Sequence, residues 1–185
     1  MVINAAGSRQ NGGYTWFDPA GISMSSNNDI TKGKIRIPLV TVDAVNDQYG
    51  YRGGRKDSRI AFVIIDVEWY EQEVLLGSRK LIEQKSVLVF QVEVWTHTPD
   101  KGHRHFFPGL QLSLYHGYRL YTTSSNTKMD ISPCEEVTDR LSELPKIFNQ
   151  SCQLANLPAD QCLGEIFALR SDFPPLRQWF SACPL

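Results

Sequence analysis

The chain has 185 residues, of which 42% are apolar and 21% charged, with a formal net charge of −1. That apolar content suits one packed core and excludes a disordered chain, and the near-zero charge excludes a global field drawing the protein to nucleic acid or membrane. Four cysteines without Cys-x-x-Cys spacing, no apolar stretch long enough for a bilayer and no signal-peptide pattern at the N-terminus predict a cytoplasmic protein with reduced thiols.

Residues 1–13 are small and polar and read as a flexible or partner-docked N-terminus. Tyr14 to Phe17 has strand character and is stopped by Asp18-Pro19. Lys34 to Val42 alternates, with Pro38 arguing for a sheet edge or a bulge. Residues 43–58 read as a long Gly/Asp/Asn loop. From Lys32 to Arg59 seven basic residues (Lys32, Lys34, Arg36, Arg52, Arg55, Lys56, Arg59) face three acidic ones (Asp43, Asp47, Asp57). Arginines spaced by glycines beside Tyr49 and Tyr51 suit phosphates and stacked bases, so Lys34, Arg36, Tyr49, Tyr51, Arg52, Arg55, Lys56 and Arg59 are the nucleic-acid-binding candidates. A solvated loop balancing acidic residues elsewhere is the competing account.

The strongest apolar runs are Ile60 to Ile65 and Ser86 to Phe90, each passing into alternation. Odd positions Ala61, Val63, Ile65 and Val67 are apolar in the first, and even positions Leu88, Phe90, Val92 and Val94 in the second. With Gly77-Ser78 as a tight turn, these predict a long antiparallel hairpin over residues 59–97. An odd pairing sum sets the odd face of the first strand beside the even face of the second and gathers Asp66, Glu68, Gln91 and Glu93 on the opposite face.

All four histidines lie between His97 and His116. His97, Asp100, His103 and His105 are weak metal-ligand candidates, and a polar, hydrogen-bonding loop is the simpler account. Leu110 to Tyr115 and Tyr118 to Tyr121 both alternate and predict strands turning at His116-Gly117. Ser132, Pro133 and Glu135 form a helix-start signature predicting a helix to about Glu143. Further helices are predicted over 146–157, after Pro158 (Cys162, Leu163, Ile166, Phe167) and after Pro174-Pro175 (Leu176, Trp179, Phe180, Cys183).

The expected class is therefore α+β: an antiparallel β domain over 14–125 built on the central hairpin, with a helical segment over 130–185 packed on it as a single domain. No P-loop, dinucleotide fingerprint or nucleophile elbow is present. The leading expectation is a non-catalytic binding protein with no cofactor, a subunit of a larger assembly such as a ribonucleoprotein or virion, with protein partners, single-stranded nucleic acid as a further ligand, and no membrane. The alternative is a metal-dependent nuclease. Asp66 followed on the next strand by Gln91-Val92-Glu93 resembles a degenerate form of the restriction-endonuclease pattern, which implies a divalent metal ion held by Asp66, Gln91 and Glu93. The lysine of that pattern is absent: Glu93 or Trp95 stands in its place.

Overall fold

The computed structural model describes residues 6–18, 23–25, 35–50, 60–67, 70–95, 107–123, 134–144, 146–147 and 163–172. The architecture is α+β, with two mixed sheets and several short helices.

The smaller sheet has the order β1-β4-β2-β3, with β1 Ala6–Gly7, β2 Tyr14–Asp18, β3 Ser23–Ser25 and β4 Ile35–Val40. Residues 6–7 of the expected flexible N-terminus are thus a strand, paired in parallel with Leu39 and Val40. β4 is interior rather than an edge. Pro38 is tolerated because β1 pairs only beyond it, while Tyr14 of β2 lies opposite.

The first part of the predicted 43–58 loop is a helix, α1, Val42–Tyr49. Thr41 caps it, its Oγ1 accepting from Ala44 N at 3.0 Å. Its apolar stripe is short and none of its residues is fully buried, so sequence periodicity carried little signal.

The larger sheet has the order β5-β6-β9-β7-β8, with β5 Ile60–Ile65, β6 Val87–Trp95, β7 Tyr118–Thr123, β8 Cys134–Glu136 and β9 Leu163–Arg170. The expected central hairpin is not formed: β5 and β6 are parallel, with Ile60 opposite Val87 and Ile65 opposite Val92. A parallel pair needs a crossover, supplied by helices α2, Glu71–Leu76, and α3, Arg79–Glu83. Gly77-Ser78 is the joint between them, not a hairpin turn. The parity expected from the sequence nevertheless holds. The register offset is odd, so Val63 and Ile65 share a face with Phe90 and Val92.

Two further expectations are overturned. Leu110 to Tyr115 belongs to a helix, α4, Pro108–Tyr115, started by Pro108 in its first turn. Leu163 to Arg170 is a strand, not a helix. It lies between β6 and β7, antiparallel to both, with Ala168 opposite Phe90 on one side and Leu120 on the other. Ile166, Ala168 and Arg170 alternate onto the core face, a period of two that the helical reading passed over. The capping signature at Ser132 also fails, because Cys134–Glu136 pairs with Tyr121 to Thr123. Among the described residues that follow it, helical structure is a 3₁₀ turn, Leu141–Glu143, with residues 144 and 146–147. The rest of the 146–157 helix, the helix after Pro174 and the cysteine side chains lie outside the described residues. Among the described residues no helix is long and apolar enough to cross a membrane.

The core lies between one face of the larger sheet and α2, α3 and α4. Phe90, Val92, Ile166, Ala168 and Leu120 meet Leu75, Leu81, Ile82 and Leu110, all nearly inaccessible. Each such large side chain contributes roughly 1.5–3 kcal/mol. Tyr118 is buried with them, its ring 5.7 Å from that of Phe90 and its hydroxyl donating to Val87 O at 2.7 Å.

Two of these helices are capped from a distance. Neither Ser78 nor Phe107 caps its helix with its own side chain. Asp43 of α1 accepts from the amides of Lys80 and Leu81 at 2.8 and 3.1 Å, and Gln72 of α2 accepts from those of Gly109 and Leu110 at 3.0 and 3.3 Å. Burial raises the Asp43 carboxyl above the usual aspartate value, against the lowering effect of those amides. The N-terminal segment docks on the same corner. A Cβ at Gly77 would collide with Ser8 O, and Arg9 Nε pairs with Glu73 Oε2 at 2.8 Å.

At the end of β9, Arg170 is buried to 7% side-chain exposure. Its Nη1 donates to Lys85 O at 2.7 Å, and Nε and Nη2 donate to Asp172 at 2.8 and 3.0 Å. Lys85 is the one described non-glycine residue with positive φ, 52°, so Arg170 ties β9 to the turn that launches β6.

Two outcomes follow from these contacts. Gly77→Ala should lower stability by at least about 2 kcal/mol, since backbone rather than a movable side chain fills the site; a melting temperature equal to wild type would contradict the close approach. Asp172→Ala should cost about 1–3 kcal/mol at neutral pH by leaving buried guanidinium donors unpaired. The Arg170 hydrogen bonds hold the Asp172 carboxyl below its usual value. That stabilisation is therefore complete above the unfolded-state value and lost as pH falls through the lower folded one. The gap between variant and wild-type melting curves should close below about pH 4, and a pH-independent gap would sink this account.

Candidate functional site

The outer face of the larger sheet carries three of the four residues of the predicted polar cluster, Asp66, Gln91 and Glu93. Phe62, Val89 and Leu169 form one row across β5, β6 and β9, and Ile64, Gln91, Phe167 and Tyr121 form the next, reaching β7. One step further Glu93 lies directly opposite Glu165, and the offset of the last β5–β6 rung, Ile65 with Val92, carries Asp66 alongside Glu93. The structure thus brings Asp66, Gln91 and Glu93 to one face, as alternation implied. It adds Glu165, which the helical reading of its segment concealed. Their disposition is a line across three strands rather than a pocket. Among the described residues no group of three or more His, Cys, Asp or Glu side chains converges as metal ligands. His97, Asp100, His103 and His105 lie outside the described residues, as does Glu68. His116, at the end of α4, is 4.0 Å from Glu83 Oε1 and stacks edge-on with Tyr115.

Of the nucleic-acid candidates, Arg36 and Tyr49 are described; Lys34, Tyr51, Arg52, Arg55, Lys56 and Arg59 lie outside the described residues. Tyr49 ends α1 with its ring half exposed. Arg36 is in β4, opposite Trp16 of β2, while Pro38 is opposite Tyr14. Alternation puts Tyr14, Trp16, Arg36 and Pro38 on one face of the smaller sheet. There the Arg36 guanidinium lies 3.7 Å from the centroid of the Tyr14 ring, which is 58% exposed. Thr15 and Ile37 point to the opposite, more buried side. Tyr14 and Trp16 were missing from the candidates, although the Tyr-x-Trp spacing in a strand already places both rings on one face.

A depression of about 300 Å³ lies beside α4, bordered by Phe107, Gln111, Thr138, Asp139, Leu141 and Ser142. Its described lining holds one carboxylate, Asp139, and two hydroxyls, Thr138 and Ser142.

No family model, curated protein or solved structure matches the chain.

The facing carboxylates make one measurable prediction. Like charges directly opposed on antiparallel strands destabilise by roughly 0.2–1 kcal/mol. Glu165→Lys should therefore raise the melting temperature at low salt, with the gain shrinking as salt is added. A fall in stability would show that Glu93 and Glu165 are held by partners that outweigh their repulsion.

Proposed function

We propose that this chain is a non-catalytic binding protein, a subunit of a larger cytoplasmic assembly, and that the Tyr14–Trp16–Arg36 face meets single-stranded nucleic acid. The observation that carries the reading is the Arg36 guanidinium stacked on an exposed Tyr14 ring. Stacking fixes the plane of the cation, so its N–H edge can meet a phosphate with little loss of freedom. The aromatic faces beside it suit unpaired bases of any sequence. Lys32 and Lys34 precede the strand in sequence, which extends the positive charge along the chain. Trp, Tyr and Arg also dominate protein–protein hot spots, so a protein partner is the natural competitor for this face.

Titrating a labelled single strand into wild type, Arg36→Ala and Tyr14→Ala at several salt concentrations tests the proposal. Arg36→Ala should weaken binding for all base sequences and reduce the salt slope by about one unit. Tyr14→Ala should cost roughly 1–3 kcal/mol of affinity per lost stack. Equal, weak binding by all three proteins would remove nucleic acid from the account and leave a protein partner. Magnesium- or manganese-dependent cleavage of the strand that disappears in Asp66→Ala would instead establish the nuclease alternative built on Asp66, Gln91 and Glu93.

A further inference from the structure

The sheet edges differ in how they are protected. β1 has two residues, β3 three, and β8 three, of which two are Glu135 and Glu136. Short, charged edges resist pairing with other chains. β5 is the exception. It occupies the other edge of the larger sheet with six residues, Ile60-Ala-Phe-Val-Ile-Ile65, without a charge or a proline. Among the described residues no strand lies on its far side, and Phe62 and Ile64 are 42% and 66% exposed.

The direction of its backbone groups follows from the ladder. Ile60 N donates to Ser86 O at 2.8 Å, so Ile60 turns its amide toward β6, as Phe62 and Ile64 do by alternation. Ala61, Val63 and Ile65 turn theirs outward. What such an edge recognises is an extended backbone.

We propose that this edge pairs with β5 of a second copy of the chain, antiparallel about a two-fold axis at Val63. Outward-facing residues must meet outward-facing residues, so Val63 meets the partner's Val63 and Ala61 meets the partner's Ile65. Each such pair exchanges two backbone hydrogen bonds. In that register Phe62 lies directly opposite the partner's Ile64, and Ile64 opposite the partner's Phe62. The two exposed large side chains of the strand thus cover one another, at the closer, non-hydrogen-bonded positions. Asp66 falls beside the partner's Ile60, so the two Asp66 carboxylates stand at opposite ends of the paired strands and the interface holds no facing like charges. The second copy is a better occupant than an unrelated peptide because this one register satisfies the outward backbone groups and buries both exposed apolar residues. Six residues a side is a small contact, well below the roughly 1,600 Å² of a standard interface, which places the association in the weak, concentration-dependent class.

Sedimentation velocity on the full chain across a wide concentration series is the test, with Phe62→Glu, Ile64→Lys and their equimolar mixture. Wild type should pass from monomer to dimer as concentration rises. Each single variant should raise the dissociation constant by roughly tenfold or more, with circular dichroism unchanged because both side chains point to solvent. The mixture should regain dimer, since a heterodimer sets the introduced carboxylate of one variant opposite the introduced ammonium of the other and keeps a native Phe–Ile pair at the second position. Wild type that stays monomeric throughout, Ile64→Lys that dimerises like wild type, or a mixture that stays monomeric would each overturn the proposal.

Discussion

The larger sheet depends on one strand, β9, and on its being paired along both sides. β6 and β7 never touch as neighbours; each hydrogen-bonds to β9, so the sheet is continuous only while β9 occupies the gap. The core face follows from the same strand, because Ile166 and Ala168 fill the space between Phe90 and Val92 on one side and Leu120 on the other. Arg170 closes the arrangement, a buried guanidinium whose donors are directed to Lys85 O and Asp172. A charge in that position is tolerable only with its partners in place, so the end of β9 is fixed in register as well as in place.

The helical layer is tied by a different device. Its helices are short, and α3 and α4 start on residues that do not cap them. Asp43 and Gln72 supply the missing acceptors from neighbouring helices. Local structure is here completed by tertiary contact, which makes the corner of α1, α2 and α3 cooperative with the N-terminal segment docked on Gly77.

Much of this was legible as faces and little of it as connections. Alternation in Val63, Ile65, Phe90 and Val92 identifies which side chains share the core whether two strands run parallel or antiparallel, since an odd offset and an odd sum have the same parity. It says nothing of direction. The spacing of Val74, Leu75, Leu81 and Ile82 fits two turns of helix flanking Gly77-Ser78, and that was the signal against a hairpin. Leu110, Leu112 and Leu114 satisfy the period of two, whereas α4 buries Gly109, Leu110 and Ser113, and only Pro108 signals a helix there. Leu163, Ile166 and Phe167 mimic a helical stripe because β9 carries apolar residues on both faces, Phe167 and Leu169 on one and Ile166 and Ala168 on the other. The candidate site divides in the same way. Asp66, Gln91 and Glu93 were readable as one face, Glu165 was hidden by the wrong period, and the contact of Arg36 with Tyr14 needed the pairing of β2 with β4, which no local pattern encodes.

The position of β9 also governs the order of events during synthesis. β6 and β7 leave the ribosome well before residues 163–170 do, and until then each has an unpaired strand edge awaiting its partner. Closing the sheet requires contacts between residues far apart in sequence, Val89 with Leu169 among them, a topology that folds slowly. The nascent chain therefore passes through an interval in which its central strands are exposed, and occupancy by a chaperone or pairing with a neighbouring nascent chain competes with the arrival of β9.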